Sequence, residues 1–333
     1  MRKIFALPAV FVLSLMLFSC SKDNPVETNY ERNISWQSVD SLNNEPVYSS
    51  FIASENDAFF ITYNHTYRIK NGNRTELNFN DSYFFPMCGD AFSSDYYVVG
   101  GVTSGSRGVI KIFDNNVLTS VMPDSTINST PVYIKIISPG KIVIASAFKV
   151  FLCDNGSARK LGQLPVEGSG VYRLVQNYIG DIILCTLING NVNKIYKVQN
   201  DSLVFMLEDY TPYRTLQSNN YIFKMRKNPG SVNVDIFTGE VWHYMTSLEQ
   251  KENLIYTAGA ETGYHYFITQ DTISGYITGK YYTLAGLYPD PNFPLKNNDA
   301  SFTSISEMRG HAFYFMKYDM TKNKTYIYRS KLE

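Results

Sequence analysis

Residues 180–206 read GDIILCTLINGNVNKIYKVQNDSLVFM, a pattern of strand, tight turn, strand, tight turn, strand. Ile182 to Ile188 is an apolar run with β-branched residues, long enough for a buried strand and too short for a typical helix. Asn189-Gly190-Asn191 is turn chemistry, because Asn and Gly tolerate the positive φ that a tight reversal needs. Ile195, Tyr196 and Val198 carry the next strand, Gln199 to Ser202 break it, and Leu203 to Leu207 form a third. No segment of the stretch has a 3.6-residue period.

The same rhythm recurs along the chain. YRIKNGN ends at Asn73, KIFDNN at Asn116, VFLCDNG at Gly156, IYKVQND at Asp201, VDIFTGE at Glu240 and YFITQDT at Thr272, with a half-copy, YIYRSK, ending at Lys331. The mean spacing of about 43 residues matches the roughly 40–50 residues of a four-stranded propeller blade. A blade cannot bury both of its faces alone, so blades stack radially and share their cores. The chain is therefore expected to be all-β: a propeller of seven blades, with six or eight also compatible. A β-sandwich or a β-solenoid is less expected from seven copies at one spacing.

The expected blades run from Val47 to Phe79, Phe84 to Met122, Val132 to Leu164, Val171 to Leu207, Tyr213 to Met245 and Leu248 to Leu287. The sixth is the poorest copy, since its first strand would be Ser247 to Lys251, a charged segment. The last repeat has only three strands, Phe302 to Met308, Ala312 to Lys317 and Thr325 to Ser330. Asn33 to Val39 (NISWQSV) is a strand candidate and is expected to supply the missing one, which would close the ring and remove two exposed edges. Tyr288 to Asp299 (YPDPNFPLKNND) holds three prolines and reads as an irregular loop.

Arg2-Lys3 followed by the apolar run from Ile4 to Phe18 has the form of a secretory signal. It ends in Leu17-Phe18-Ser19-Cys20, which resembles the bacterial lipobox, with Phe18 a less usual choice at its position. The resemblance covers about the first twenty residues. It implies a bacterial lipoprotein cleaved before Cys20, lipidated on that residue and attached to a membrane. Several acyl chains give stable anchoring where one is marginal. By the same analogy, Ser21 after the Cys implies the outer membrane, and the Ser21-Lys22-Asp23 start is similar to Bacteroidota surface lipoproteins. The expected organisation is a signal at 1–19, a lipidated Cys and tether at 20–29, and a propeller at 30–333.

The formal net charge is zero, and loss of Arg2 and Lys3 with the signal makes it slightly acidic. No basic patch points to nucleic acid. The 26 Tyr and 21 Phe suit packed strands first and stacking on sugars second. Cys88, Cys153 and Cys185 remain after Cys20. Buried free thiols are expected, with one Cys153–Cys185 bridge the alternative. His65, His243, His265 and His311 are scattered and form no metal or catalytic motif. Gly100 to Gly108 (GGVTSGSRG) lacks the Lys-Ser/Thr ending of a phosphate loop and reads as a flexible loop. No cofactor is expected. Asp-Ser/Thr pairs at Ser41, Ser125, Ser202 and Thr272 resemble the Bacteroidota O-glycosylation motif, and are also plain turn chemistry.

In a propeller, the connectors between blades share a face with each blade's second-to-third turns. That face places Arg107, Asp209, Tyr210, Tyr213, Arg214, Tyr288, Asp290 and Lys296 in a candidate ligand site. The expected function is a non-catalytic binding or scaffold protein for glycan, peptide or envelope-protein ligands. The alternative is a polysaccharide hydrolase or lyase, since carboxylates from separate blades can converge at the channel.

Overall fold

The computed structural model describes residues 34–332, except 106, 123–129, 147, 165–169, 178–179, 189–191, 211–214, 219–220, 260–264, 284–285 and 296–301. The first strand, β1 (Ile34–Asn43), belongs to the last sheet. Blade one is β2 (Ser49–Ser54), β3 (Asp57–Ile61), β4 (Thr66–Lys70) and β5 (Asn73–Glu76). Blade two is β6 (Phe85–Ala91), β7 (Tyr96–Thr103), β8 (Arg107–Asp114) and β9 (Val117–Val121). Blade three is β10 (Pro131–Ser138), β11 (Lys141–Ser146), β12 (Lys149–Asp154) and β13 (Ser157–Gln163). Blade four is β14 (Gly170–Gln176), β15 (Ile182–Ile188), β16 (Val192–Gln199) and β17 (Ser202–Tyr210). Blade five is β18 (Thr215–Ser218), β19 (Tyr221–Asn228), β20 (Ser231–Phe237) and β21 (Trp242–Glu249). Blade six is β22 (Glu252–Gly259), β23 (His265–Asp271), β24 (Ile277–Thr283) and β25 (Gly286–Pro289). Blade seven is β26 (Phe302–Ile305), β27 (Tyr314–Asp319) and β28 (Lys324–Leu332), completed by β1. The blade number is seven.

Each sheet is an antiparallel meander, and first strands of successive blades touch around the centre. Seven buried clusters fill the seven gaps between neighbouring blades. Phe51, Phe59 and Val99 sit between blades one and two, and Leu152, Leu174 and Leu184 between blades three and four. Phe60, Tyr314 and Met316 sit between blades seven and one. Middle strands are covered on both faces, which is why β3 and β15 read as nearly continuous apolar runs rather than alternating ones. Outer strands such as β5 are exposed at every position, and their short, charged character protects the edge.

The turns from third to fourth strand explain the sequence rhythm. Asn71-Gly72 (φ 52°, 79°), Asn115-Asn116 (48°, 67°), Asn155-Gly156 (47°, 82°) and Asn200-Asp201 (48°, 58°) all place two residues at positive φ, as a two-residue hairpin turn of matching twist requires. The backbone N–H groups of Asn71, Asn115 and Asn155 donate to Asn56, Asp95 and Gly140 at 2.8, 2.9 and 2.8 Å. These three turns are thus tied to the first-to-second turns of their own blades.

Closure follows the expected route. The strand β1 pairs antiparallel with β28 from Ile34↔Leu332 to Asn43↔Lys324, with one bulge between Ser38 and Asp40. The Trp36 indole N–H donates to Asp290 Oδ2 at 2.8 Å, and Asn292 Nδ2 donates to the Ile34 carbonyl at 3.1 Å.

Four expectations are corrected. Ser247 to Lys251 is not the first strand of blade six: β21 runs through Glu249, and β22 starts at Glu252. That strand tolerates a buried charge because the Lys280 ammonium lies 2.7 Å from Glu252 Oε2 and the Thr269 hydroxyl donates to Oε1 at 3.3 Å. The turn near 270 is the second-to-third turn of its blade, on the face opposite the other copies. Gly100 and Gly101 are strand residues of β7, not loop. A side chain at Gly100 would strike Ile134 and Pro131 of blade three, and one at Gly101 the Phe85 carbonyl and the Phe84 ring. The proline-rich segment begins inside β25, and its Phe293 and Leu295 are buried between blades six and seven.

Candidate functional site

The face carrying the blade connectors has a cluster of exposed aromatic and sulfur side chains at blades one and two. Tyr48 lies in the connector from β1 to β2, and Tyr63 in the turn from β3 to β4. Phe85 and Met87 lie on one side of β6. Tyr63 is 71% exposed, and Phe85 and Met87 are each 40% exposed. The Tyr63 and Phe85 rings are 6.2 Å apart, and the Tyr48 hydroxyl donates to the Pro86 carbonyl. Burial, with smaller contributions from Cys88 and Tyr63, pushes the Tyr48 phenol up, so it remains a donor and pins the connector to β6. Tyr83, in the connector from β5 to β6, is 64% exposed. Large apolar groups in water at turn and connector positions stabilise no core. Grouped together, they mark an interaction surface.

A cleft of about 520 Å³ opens beside this cluster, lined by Asp81, Thr103, Ser104, Gly105, Arg107, Val109, Lys111, Ser120 and Met122. Arg107, Val109 and Lys111 come from alternate positions of β8 and so share one side of the sheet. Asp81 closes the cleft from the same connector that carries Tyr83. Lys111 Nζ lies 3.4 Å from Asp81 Oδ2 and 5.4 Å from the centre of the Phe84 ring.

Toward the opposite face, residues 306–312 of blade seven reach across the centre. Glu307 Oε1 lies 2.6 Å from Lys135 Nζ of blade three, and Arg309 Nη2 donates to the Ala91 carbonyl of blade two at 2.9 Å. Lys135 also sits 3.8 Å from Asp90 Oδ1. Asp90 Oδ2 accepts the Ile136 N–H at 2.8 Å. Burial alone would lower the Lys135 ammonium, but Asp90 and Glu307 together outweigh it and raise it. Asp90 and Glu307 thus share Lys135, and burial, only partly offset by Lys135 and Arg309, raises the Asp90 carboxyl.

The described residues among those expected at the site have separate settings. Arg107 lines the cleft. Asp209 is held 2.6 Å from Lys224 Nζ, which itself lies 4.5 Å from the centre of the Trp242 ring. Tyr288 stacks on Tyr281 with centroids 5.4 Å apart. Asp290 is buried and accepts from Trp36 Nε1 and, at 2.7 Å, from the Tyr266 hydroxyl, so it anchors the closing strand. The Tyr210 side chain, Tyr213, Arg214, Lys296, Cys20 and Ser125 lie outside the described residues. Ser41 is half-buried in β1, whereas Ser202, at the start of β17, and Thr272, in a turn, are exposed. The N–H groups of Ser274 and Ile273 hold the neighbouring Asp271 carboxyl down at about 2, so this turn is built on its Asp. Cys88, Cys153 and Cys185 are buried thiols and form no disulfide with one another.

Sequence reasoning missed Tyr48, Tyr63, Tyr83, Phe85 and Met87. The available signal was the presence of large aromatics among turn-formers, as in Thr62-Tyr63-Asn64-His65 and Asp81-Ser82-Tyr83. Among the described residues, no group of three His, Cys, Asp or Glu side chains is placed to hold a metal.

No protein-family model matches the chain, and no curated protein sequence matches it. Among solved structures it is similar to YCF48 bound to D1 peptide, with a TM-score of 0.63 and 10% identity over 90% of this chain and 97% of that one. It is similar to YCF48 from Cyanidioschyzon merolae, with a TM-score of 0.64 and 9% identity over 90% and 99%. A chain of the mitotic checkpoint complex matches with a TM-score of 0.60 and 10% identity over 87% and 94%. At such identities the likeness is one of fold, the β-propeller.

Proposed function

We propose that this chain is a non-catalytic binding propeller of a bacterial outer membrane, held there by lipid on Cys20, and that its connector face takes a peptide or protein ligand. The observation that carries the binding reading is the exposed cluster of Tyr48, Tyr63, Phe85 and Met87 beside an open cleft. Aromatic and Met side chains are enriched at the centres of interfaces, where they bury large area at low entropic cost. Asp90 and Glu307 are both engaged by Lys135 in a cluster that ties blades two, three and seven together, as a scaffold requires. YCF48 with its D1 peptide and the mitotic checkpoint complex supply precedents of the same fold in peptide and protein assemblies. The membrane reading rests on the Leu17-Phe18-Ser19-Cys20 motif.

The binding reading is tested with full-length protein in detergent against a displayed peptide library and a panel of glycans. Peptides should be captured, and the double substitution Tyr63→Ala with Met87→Ala should weaken them about tenfold or more without lowering the melting temperature. Capture of glycans alone, or peptide capture indifferent to both substitutions, would overturn it. The membrane reading predicts that Cys20→Ala moves the protein from the membrane to the soluble fraction. Protease shaving of intact cells then reports which side of the outer membrane the propeller faces.

A further inference from the structure

The cleft beside the aromatic cluster has an unbalanced charge. Arg107 and Lys111 line it with a single carboxylate, Asp81. That carboxylate belongs to Lys111, which is almost fully buried and capped on its other side by Phe84. Arg107 is exposed at the first position of β8 and has no carboxylate partner among the described residues. Thr103, Ser104 and Ser120 add hydroxyl donors around the same space. An arginine fork matches a carboxylate with two parallel hydrogen bonds, which a lone lysine does not. The wall opposite β8 is the connector that leads through Tyr83 to Phe85, so one ligand crossing that connector meets a cationic cleft on one side and exposed aromatic groups on the other.

We propose that this cleft is the acidic-residue pocket of the connector face. It receives the carboxylate of an Asp or Glu side chain from a peptide whose neighbouring apolar residues rest on Tyr83, Phe85 and Tyr63. The inference rests on the peptide-binding reading above and adds the ligand's chemistry: an acidic segment with aromatic or aliphatic residues, bound through Arg107. The pocket offers side-chain donors on three adjoining strands and a turn, a lining that suits a carboxylate entering from above on a flexible side chain.

The test uses full-length protein in detergent and three pools of short fluorescent peptides. In the first, randomised apolar positions flank Asp or Glu, and both ends are capped. The second replaces Asp and Glu by Asn and Gln. The third is the second with a free C-terminal carboxylate. The acidic pool should bind about tenfold more tightly than the amide pool, and its binding alone should weaken with added salt. Arg107→Gln should abolish the difference, and Arg107→Glu should reverse it in favour of a pool carrying Lys. Arg107 is exposed, so melting curves should be unchanged. Equal binding of the first two pools, with both weakened by the Tyr63→Ala and Met87→Ala pair, would overturn the pocket and leave the aromatic site standing. Preference for the third pool would assign the cleft to a chain end and overturn the side-chain assignment. Binding by none of the pools would overturn the pocket and the peptide-binding reading together.

Discussion

His265 shows how a single buried group writes a pH dependence into the fold. Its ring is packed by Tyr221 and Phe223 at centroid distances of 5.0 and 5.3 Å, and Nδ1 has no partner among the described residues. Burial therefore lowers its pKa from 6.5 to about 4. The unfolded chain binds one more proton than the folded chain between those values. The stability is fully present above pH 6.5, falls by about 1.4 kcal/mol per pH unit below it, and the loss is complete near pH 4. Replacing His265 by Phe should remove that slope, leaving the variant about 2 kcal/mol less acid-sensitive at pH 5. Denaturant melts at pH 7 and pH 5 measure it, and parallel losses in both proteins would exclude His265 as the cause. The same scale shows what the sequence could say about the site. Arg107 is legible as a charged residue at the start of a strand facing the connectors. Asp209 and Asp290 look equally available, yet each is used internally by a partner outside its own loop. Trp36 lies 254 residues from Asp290, and local sequence carries no sign of such a pairing. Exposed aromatics are hidden for the converse reason, because in a chain so rich in Tyr and Phe most rings are core.

At the scale of elements, the third-to-fourth turns are the most legible part of the chain, since positive φ at two successive positions restricts residue choice to Asn, Asp and Gly. The entry to β22 was not legible. Its first residue, Glu252, is buried, and the pairing to Lys280 across the blade, with donation from the Thr269 hydroxyl and the Glu249 N–H, makes that tolerable. The segment 306–312 has no sequence signature either, although it spans the centre of the ring. Its glycine is needed there: Gly310 has φ 57°, and a Cβ would meet the Glu55 carboxylate, which accepts the His311 N–H at 2.8 Å. The charges of this strap stand or fall together. Lys135→Met should destabilise the protein by about 3 kcal/mol, because it leaves Asp90 buried and unpaired and strips Glu307 of its cation. Adding Asp90→Asn should recover a large part of that loss, since the amide oxygen still accepts from Ile136 and carries no charge. Chemical denaturation of the single and double variants measures the coupling. Strictly additive losses would show that the cluster is not a unit.

Across the whole molecule, stability depends on a ring whose ends are far apart in sequence. Seven interfaces of similar construction each need both neighbours, so an interruption at any one leaves two sheets with an uncovered apolar face. Blade seven leads into blade one through the connector from β1 to β2, as the other blades lead on from their fourth strands, but its third and fourth strands, β28 and β1, come from opposite ends of the described chain and are joined by pairing alone. Trp36 concentrates that closure. Its ring contacts Tyr266, Phe293, Phe313 and Phe315 edge-on at 5.8, 5.8, 5.3 and 6.2 Å, and its N–H is taken by Asp290. Trp36→Ala should therefore cost about 4 kcal/mol, the range for emptying an aromatic core position. Asp290→Ala should cost about 3 kcal/mol by leaving the indole N–H and the Tyr266 hydroxyl buried without an acceptor. Deleting Glu31 to Val39 removes Ile34 and Trp36 together and bares the β28 edge, so it should lower the melting temperature more than either substitution. It should also promote association, because an unpaired strand edge recruits another chain. Calorimetry with light scattering reads both effects. If the deletion variant melted as the full chain does, the clasp would be dispensable, and the blade-seven to blade-one core of Phe60, Tyr314 and Met316 would have to hold the ring by itself.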